Sequence, residues 1–248
     1  MTPWAIQAPS QFRPAGPPAL TSDRYAADFN ETKTMGRATS TTRTPDQTVA
    51  SWFWNSSTAS YLWNNVALSL LEHDSRDGDQ DNDGGGWHER GGSSLLAHAR
   101  LLALLDVAIA DAGIGCWDAK YTYVSWRPIT AITLADTDGN PATEKDAGWL
   151  PLFATPAHPE YPSGHSCVTG AAAVVLAAAF GEHAHFTVDS DVMLGVTRSF
   201  KSFSSAVEEV KNARIFAGIH FRSATDDGQQ LGQDVAEFVL ANVALPVQ

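Results

Sequence analysis

The alternation of apolar and polar positions predicts a series of helices joined by turn-rich loops. Thr21-Ser22-Asp23 is a helix start, and Tyr25, Ala26 and Phe29 follow at helical spacing until Gly36. Asp46 opens a second helix carrying Val49, Trp52, Phe53 and Trp54. A third runs from Ser57 or Thr58 to Glu72, with Leu62, Trp63, Val66, Leu70 and Leu71 apolar. From Ser93 or Ser94, the positions Leu95, Leu96, Ala99, Leu102, Leu105 and Ile109 predict a long helix that stops near Gly113 to Gly115. Another begins at Trp117 and breaks near Arg127-Pro128, because proline drives the preceding residue out of the helical region. Thr130 to Leu134 continue past that kink. Val168 to Phe180 is Ala-rich and apolar on every side, which suits a buried helix whose first turn is Ser163 to Ser166. Residues 186 to 203 hold the strand-like material, an excursion from the bundle. Ser204 or Ser205 caps a helix through Val207, Val210 and Ile215, and a last one carries Leu231, Val235, Phe238, Val239 and Val243. The fold class expected is all-α, a helical bundle with negligible β. The Pro-rich residues 1 to 20 are expected to lie extended across the body.

Composition narrows the classes. A hydrophobic content of 44% with 8 Trp supplies a core. Sixteen basic against 28 acidic residues give a net charge of −12, which argues against nucleic acid or an anionic membrane as partner. A local basic pocket stays compatible with that balance. Two cysteines, Cys116 and Cys167, imply no disulfide framework; each flanks a motif below, and buried free thiols are the expectation. Val168 to Phe180 is too short for a membrane span, which needs about 20 apolar residues. Met1-Thr2-Pro3-Trp4 does not begin a signal peptide, so an exported or periplasmic origin would need a leader missing from this chain. Asp79, Asp81 and Asp83 before Gly84 echo a calcium loop, but Arg90 stands where the terminal Glu belongs, and a solvated loop is expected.

Three stretches carry chemistry. Lys120 and Arg127, seven apart, fall on nearly the same helical face about 10 Å apart along the axis. Two cations placed so suit a clamp on a tetrahedral oxyanion. Pro162-Ser163-Gly164-His165 places an N-cap serine, a glycine open to close approach and a titratable imidazole where free N–H groups attract an anion. Arg214 and His220 are six apart, about 120° out of phase on an ideal helix, and converge only if the chain ends or bends near Gly218. Three permanent cations, backbone donors, a hydroxyl and two imidazoles are suited to phosphate or its analogue vanadate. Such a site could transfer a phosphoryl group through one histidine or hold vanadate on it.

Lys-x6-Arg-Pro, then Pro-Ser-Gly-His, then Arg-x5-His, in that order, resembles the superfamily of vanadium-dependent haloperoxidases and type 2 phosphatidic acid or bacterial acid phosphatases. The runs Asp118 to Ile132 and Gly218 to Ala224 resemble its soluble bacterial haloperoxidase-like branch. The resemblance implies vanadate, V(V), as cofactor, with phosphate able to take the same site. It implies that His220 bonds vanadium or attacks phosphorus, that Lys120, Arg127, Ser163, Gly164, Arg214 and His220 bind the oxyanion, and that His165 is the acid/base. Lys120 would also polarise bound peroxide. Trp117 and His158 match pocket-lining positions, and a histidine at 158 points to bromide or iodide before chloride. Partners implied are hydrogen peroxide, a halide and a small organic acceptor, with a homo-oligomer left open. Two departures stand out: Ala213 replaces the usual serine, and Ala224 stands where a carboxylate often follows the motif histidine by four. Asp226 or Asp227 is expected to orient His220 instead. Full-length haloperoxidases are generally longer, so an N-terminal helical portion is expected to be missing. The expected organisation is an N-terminal extended segment and helices over 1–92, packed on a catalytic helical bundle over 93–248, in one continuous unit. Three readings stay open: a haloperoxidase, a metal-free acid phosphatase working through a phosphohistidine, and a silent oxyanion-binding protein.

Overall fold

A computed structural model describes residues 1–55, 59–77 and 95–245. The predicted calcium-like loop and the Ser57/Thr58 and Ser93/Ser94 starts lie outside these. The helices are α1 (Asp23–Met35), α2 (Pro45–Phe53), α3 (Ala59–Asp77), α4 (Leu95–Tyr123), α5 (Pro128–Thr133), α6 (Gly164–Phe180), α7 (Phe203–Phe216) and α8 (Arg222–Asn242). Strands β1 (Phe186–Asp189) and β2 (Thr197–Phe200) form one antiparallel hairpin, with Phe186 opposite Phe200 and Asp189 opposite Thr197. The excursion is therefore a two-stranded ribbon beside an all-α body. Among the described residues no helix is long and apolar enough to cross a membrane.

Helix α6 is the axis of the bundle, packing against α3, α4, α7 and α8. Its small, apolar residues suit that position: Cys167, Gly170, Ala171, Ala172, Val175 and Leu176 are buried. A helix apolar all round must be covered all round. The crossing with α8 is closest at Gly232, where a Cβ would lie 2.1 Å from the Cys167 carbonyl oxygen, and at Gly170, where it would meet Gln229 O at 2.5 Å. Trp63 of α3 closes another side, donating its indole N–H to Thr169 Oγ1 at 3.0 Å.

Local signals set most boundaries. Ser22 caps α1 by accepting from Tyr25 N, and Thr44 with Gln47 forms a capping box on α2. Helix α7 is capped by Ser202, two or three residues before the expected serines. The larger correction is α4, which does not stop at Gly113 to Gly115 but runs on to Tyr123, 29 residues in all. Gly115 serves packing there: a Cβ on it would touch Pro9 O at 3.5 Å and Leu231 at 3.6 Å. Burial of Leu101, Leu104, Leu105, Ala108, Ala112 and Cys116 along α4 outweighs the modest cost of two helical glycines. The Pro-rich N-terminal segment is pinned to the same helix. Buried Asp111 accepts the N–H groups of Trp4, Ala5 and Ile6 at 2.7, 2.7 and 2.9 Å, and Tyr123 Oη donates to Pro14 O.

Candidate active site

The end of α4, the 158–163 loop, the first turn of α6 and the 216–221 turn meet at one place. Helix α4 ends at Tyr123, and Pro128 restarts the chain as α5 with Arg127 at its N-cap. The break lets Lys120 and Arg127 approach a common centre from two elements. Ser125, between them, anchors the facing loop through its carbonyl oxygen to Glu160 N and through its hydroxyl to Tyr161 N.

Lys120 is fully buried, and all three of its ammonium protons have main-chain acceptors: Pro159 O and Glu160 O at 3.0 Å, and Pro162 O at 2.5 Å. Its charge sits in the site, but its hydrogen bonds hold the loop. Burial, then the Arg127 charge, lower its pKa. Arg127 donates to His158 O at 3.0 Å and Ile219 O at 2.7 Å, and its guanidinium lies 3.2 Å from His220 Nε2 and 3.1 Å from His158 Nδ1. Burial lowers its pKa too. Arg214 is buried and donates to Trp54 O at 3.1 Å, while its Nε has no partner. Burial, then Arg127, push its pKa down to about 9.

The Arg214–His220 convergence comes from Gly218. Helix α7 ends at Phe216, Gly218 takes a φ of +76°, and the chain turns so that Ile219 N donates back to Arg214 O at 3.3 Å. Gly218 also lies against Gly36, the residue that follows α1, where any Cβ would collide with backbone. His220 is then held by Thr32 Oγ1 donating to its carbonyl oxygen at 3.1 Å. Burial, then the charges of Arg127, Lys120, Arg214 and His165, put its pKa well below the ordinary value, so it is neutral.

Ser163 is the buried N-cap of α6, accepting from Ser166 N at 3.4 Å, and its own N–H goes to Ala224 O at 2.8 Å. Gly164 lies against the Trp117 ring, which a Cβ would approach at 3.1 Å. His165 is half-buried in the first turn, close enough for its charge to bear on His220. Trp117 and His158 pack together with ring centroids 5.3 Å apart, and Lys120 Nζ lies 5.7 Å from the Trp117 centroid. Burial, then Lys120, lower the pKa of His158. The buried Ser166 Oγ has no partner. Cys116 and Cys167 are free and buried beneath the site, with the Cys116 thiol 3.8 Å from Pro162 O.

The expected partners of His220 need correcting. Asp226 pairs with Lys211 at 2.8 Å, and Asp227 accepts from Tyr161 Oη at 2.6 Å and faces Arg24 at 3.6 Å. Both carboxylates are thus committed elsewhere. Ala224 is fully buried with its carbonyl against Ser163. The carboxylate at His220 is Glu160, with Oε1 2.8 Å from Nδ1 and accepting Phe221 N at 3.0 Å. Burial raises its pKa to about 7, opposed by Phe221 N–H, Lys120 and Arg127. The signal for it was present in the sequence, since Glu160 is the sole acidic residue between Asp146 and Glu182 and sits two before Pro162.

The buried site holds three basic side chains against one carboxylate, and Arg214 Nε is a buried donor without a partner, a chemistry that suits an anion. The class is an all-α helical bundle with a buried cluster of cationic side chains around a histidine. The model of the VCPO second helical-bundle domain matches residues 100–248, and the chain belongs to that family. Vanadium chloroperoxidase of Curvularia inaequalis is 41% identical over 83 residues, 29% of this chain and 13% of that enzyme. Among solved structures, the first bacterial vanadium-dependent iodoperoxidase superposes with a TM-score of 0.77 at 29% identity, over 99% of this chain and 57% of that one. An apo bacterial vanadium-dependent chloroperoxidase gives 0.66 at 15% identity over 96% and 54%, a likeness of fold. The chain spans little more than half the length of these structures.

Proposed function

We propose that the chain is a vanadate-dependent haloperoxidase that uses hydrogen peroxide to oxidise bromide or iodide, delivering the oxidised halogen to a small organic acceptor. The observation that carries the reading is the buried Lys120–Arg127–Arg214 cluster around the neutral imidazole of His220. The chemistry of this donor set fits vanadate: nitrogen from His220, N–H groups from Arg127 and Arg214, the Ser163 hydroxyl and the N-terminus of α6. Vanadate held there supplies a Lewis-acidic V(V) centre that activates hydrogen peroxide toward halide. The iodoperoxidase among the related structures supports a halide softer than chloride.

The chain's own residues divide the work. Arg127 and Arg214 neutralise the oxyanion in a water-poor site, where fixed charges act strongly. Lys120 adds charge while holding the loop that carries His158, Glu160 and Ser163. His165, half-buried in the first turn of α6, would move protons of incoming peroxide. Trp117 and the neutral His158 form a polarisable wall suited to halide.

The test is bromide and iodide oxidation by phosphate-free protein given orthovanadate. Activity that saturates with vanadate and vanishes in His220→Ala is expected. Hydrolysis of p-nitrophenyl phosphate without vanadate, and no halide oxidation with it, would overturn the reading in favour of a phosphatase. Silence in both assays would leave an oxyanion-binding protein.

A further inference from the structure

We propose that Glu160 is the positioning residue of His220, holding the imidazole as the Nδ1–H tautomer so that the Nε2 lone pair is kept for an oxyanion that can bond to it. The inference rests on the oxyanion reading above and adds which oxyanions the site prefers. Its core is a donor–acceptor argument. Arg127 lies 3.2 Å from His220 Nε2. A guanidinium donates and does not accept, so Nε2 must be the acceptor. The one proton of the neutral ring is then on Nδ1, 2.8 Å from Glu160 Oε1. The same oxygen accepts Phe221 N–H, so the carboxylate is tied to the residue following the histidine as well.

Glu160 is fixed at its main chain too. Its N–H donates to Ser125 O at 3.1 Å and its carbonyl oxygen accepts from Lys120 at 3.0 Å. The side chain is 2% exposed, so it has no solvent alternative. Helix α8 cannot offer a rival from residue 224, which is alanine packed against the start of α6. One loop residue thus couples the lysine of the cage to its histidine.

The consequence is selectivity. A carboxylate accepting from Nδ1–H makes Nε2 a stronger base and a better ligand. Where it is ionised, the same carboxylate, buried beside Lys120 and Arg127, weakens purely electrostatic attraction of any anion. Glu160 therefore favours vanadate, which accepts a bond from Nε2, over phosphate held by charge and hydrogen bonds alone.

The experiment measures Kd for orthovanadate and for inorganic phosphate, by calorimetry, on phosphate-free wild type and Glu160→Gln. Histidine-selective 15N NMR reports the His220 tautomer, assigned by the resonance missing from His220→Ala. Expected are an Nδ1–H signature in the wild type, and in Glu160→Gln a vanadate Kd raised about tenfold or more with phosphate binding unchanged or tighter. Equal loss of both anions would mark a merely structural residue and overturn the proposal, as would no loss of vanadate. An Nε2–H signature in the wild type overturns it even where the variant fails to fold. A wild type that binds vanadate no tighter than phosphate sinks the haloperoxidase reading instead, and the tautomer signal still judges Glu160.

Discussion

Replacing Arg214 by methionine should make the anion-free protein more stable while removing its response to phosphate. Arg214 is buried in the wild type, its Nε has no partner, and Arg127 repels it. Its pKa falls from the ordinary guanidinium value to about 9, a penalty on the order of 5 kcal/mol at about 1.36 kcal/mol per tenfold. Methionine fills similar space without charge, but it frees Trp54 O, which Arg214 now engages at 3.1 Å. An unmet buried carbonyl costs about 1–2 kcal/mol. The net gain is about 3 kcal/mol, or roughly 6–12 °C in Tm for a chain of this size. The sign with pH follows from linkage. The native group is the weaker proton binder, so the penalty is complete below about pH 9 and fades as pH rises above it toward the ordinary guanidinium range. The stability gap between variant and wild type should therefore shrink in alkali. Phosphate at a hundred times its Kd should add about 2.7 kcal/mol to the wild type and nothing to Arg214→Met. Calorimetric melting in phosphate-free buffer, with and without added phosphate, at pH 7.5 and 10.5, reads all three effects. An Arg214→Met protein that melts below the wild type in anion-free buffer would refute the reasoning, as would equal stabilisation of both by phosphate.

Gly232→Ala should cost more than about 3 kcal/mol, seen as a lower urea midpoint, because its Cβ would stand 2.1 Å from the Cys167 carbonyl oxygen and force α6 and α8 apart. Asp28→Asn should gain stability over the wild type as pH rises from 3 to 7. Burial raises the Asp28 pKa, so its contribution is full below the ordinary carboxylate value and lost through the native one, whereas Asn does not titrate. Denaturation curves at the two pH values measure that gap, and Asn can still accept from Ser223. Arg198→Ala should lower stability by about 1 kcal/mol at low salt and less at high salt. Its guanidinium ties β2 to Asp46 of α2 and Glu209 of α7, and melting across a salt series tests it.

What the sequence disclosed is what short-range chemistry decides. Ser22 and Ser163 cap their helices because a cap needs only a hydroxyl and the next turn. The order and spacing of Lys120, Arg127, Ser163, Gly164, His165, Arg214 and His220 also sufficed to suggest one site. Periodicity alone argued against Arg214 meeting His220, and the turn at Gly218 resolves this, a residue whose meaning was readable. Other features depend on distant chain. The glycines at 113 and 115 read as a stop, yet α4 runs through them because Pro9 and Leu231 come close at Gly115. Asp226 and Asp227 read as neighbours of His220 by spacing, yet Lys211 and Tyr161 claim them. Glu160 is 60 residues from His220 in sequence and reaches it because the 158–163 loop folds back over the 216–221 turn.

The same long-range closure explains why the two cations of the Lys-x6-Arg motif are not equivalent. Lys120 carries three protons on a point charge, and three converging carbonyls of one loop consume all of them. Arg127 carries five in a plane, and the fork spans two loops, taking His158 O on one and Ile219 O with His220 Nε2 on the other. An ammonium can gather a tight turn of backbone around itself, whereas a guanidinium bridges separate segments. Exchanging the two would leave the net charge intact and the loop unheld. The spacing of seven therefore sets more than a pair of charges on one face: the break before Pro128 turns the second cation across the site from the first, and the loop bearing Glu160 and Ser163 is fixed between them.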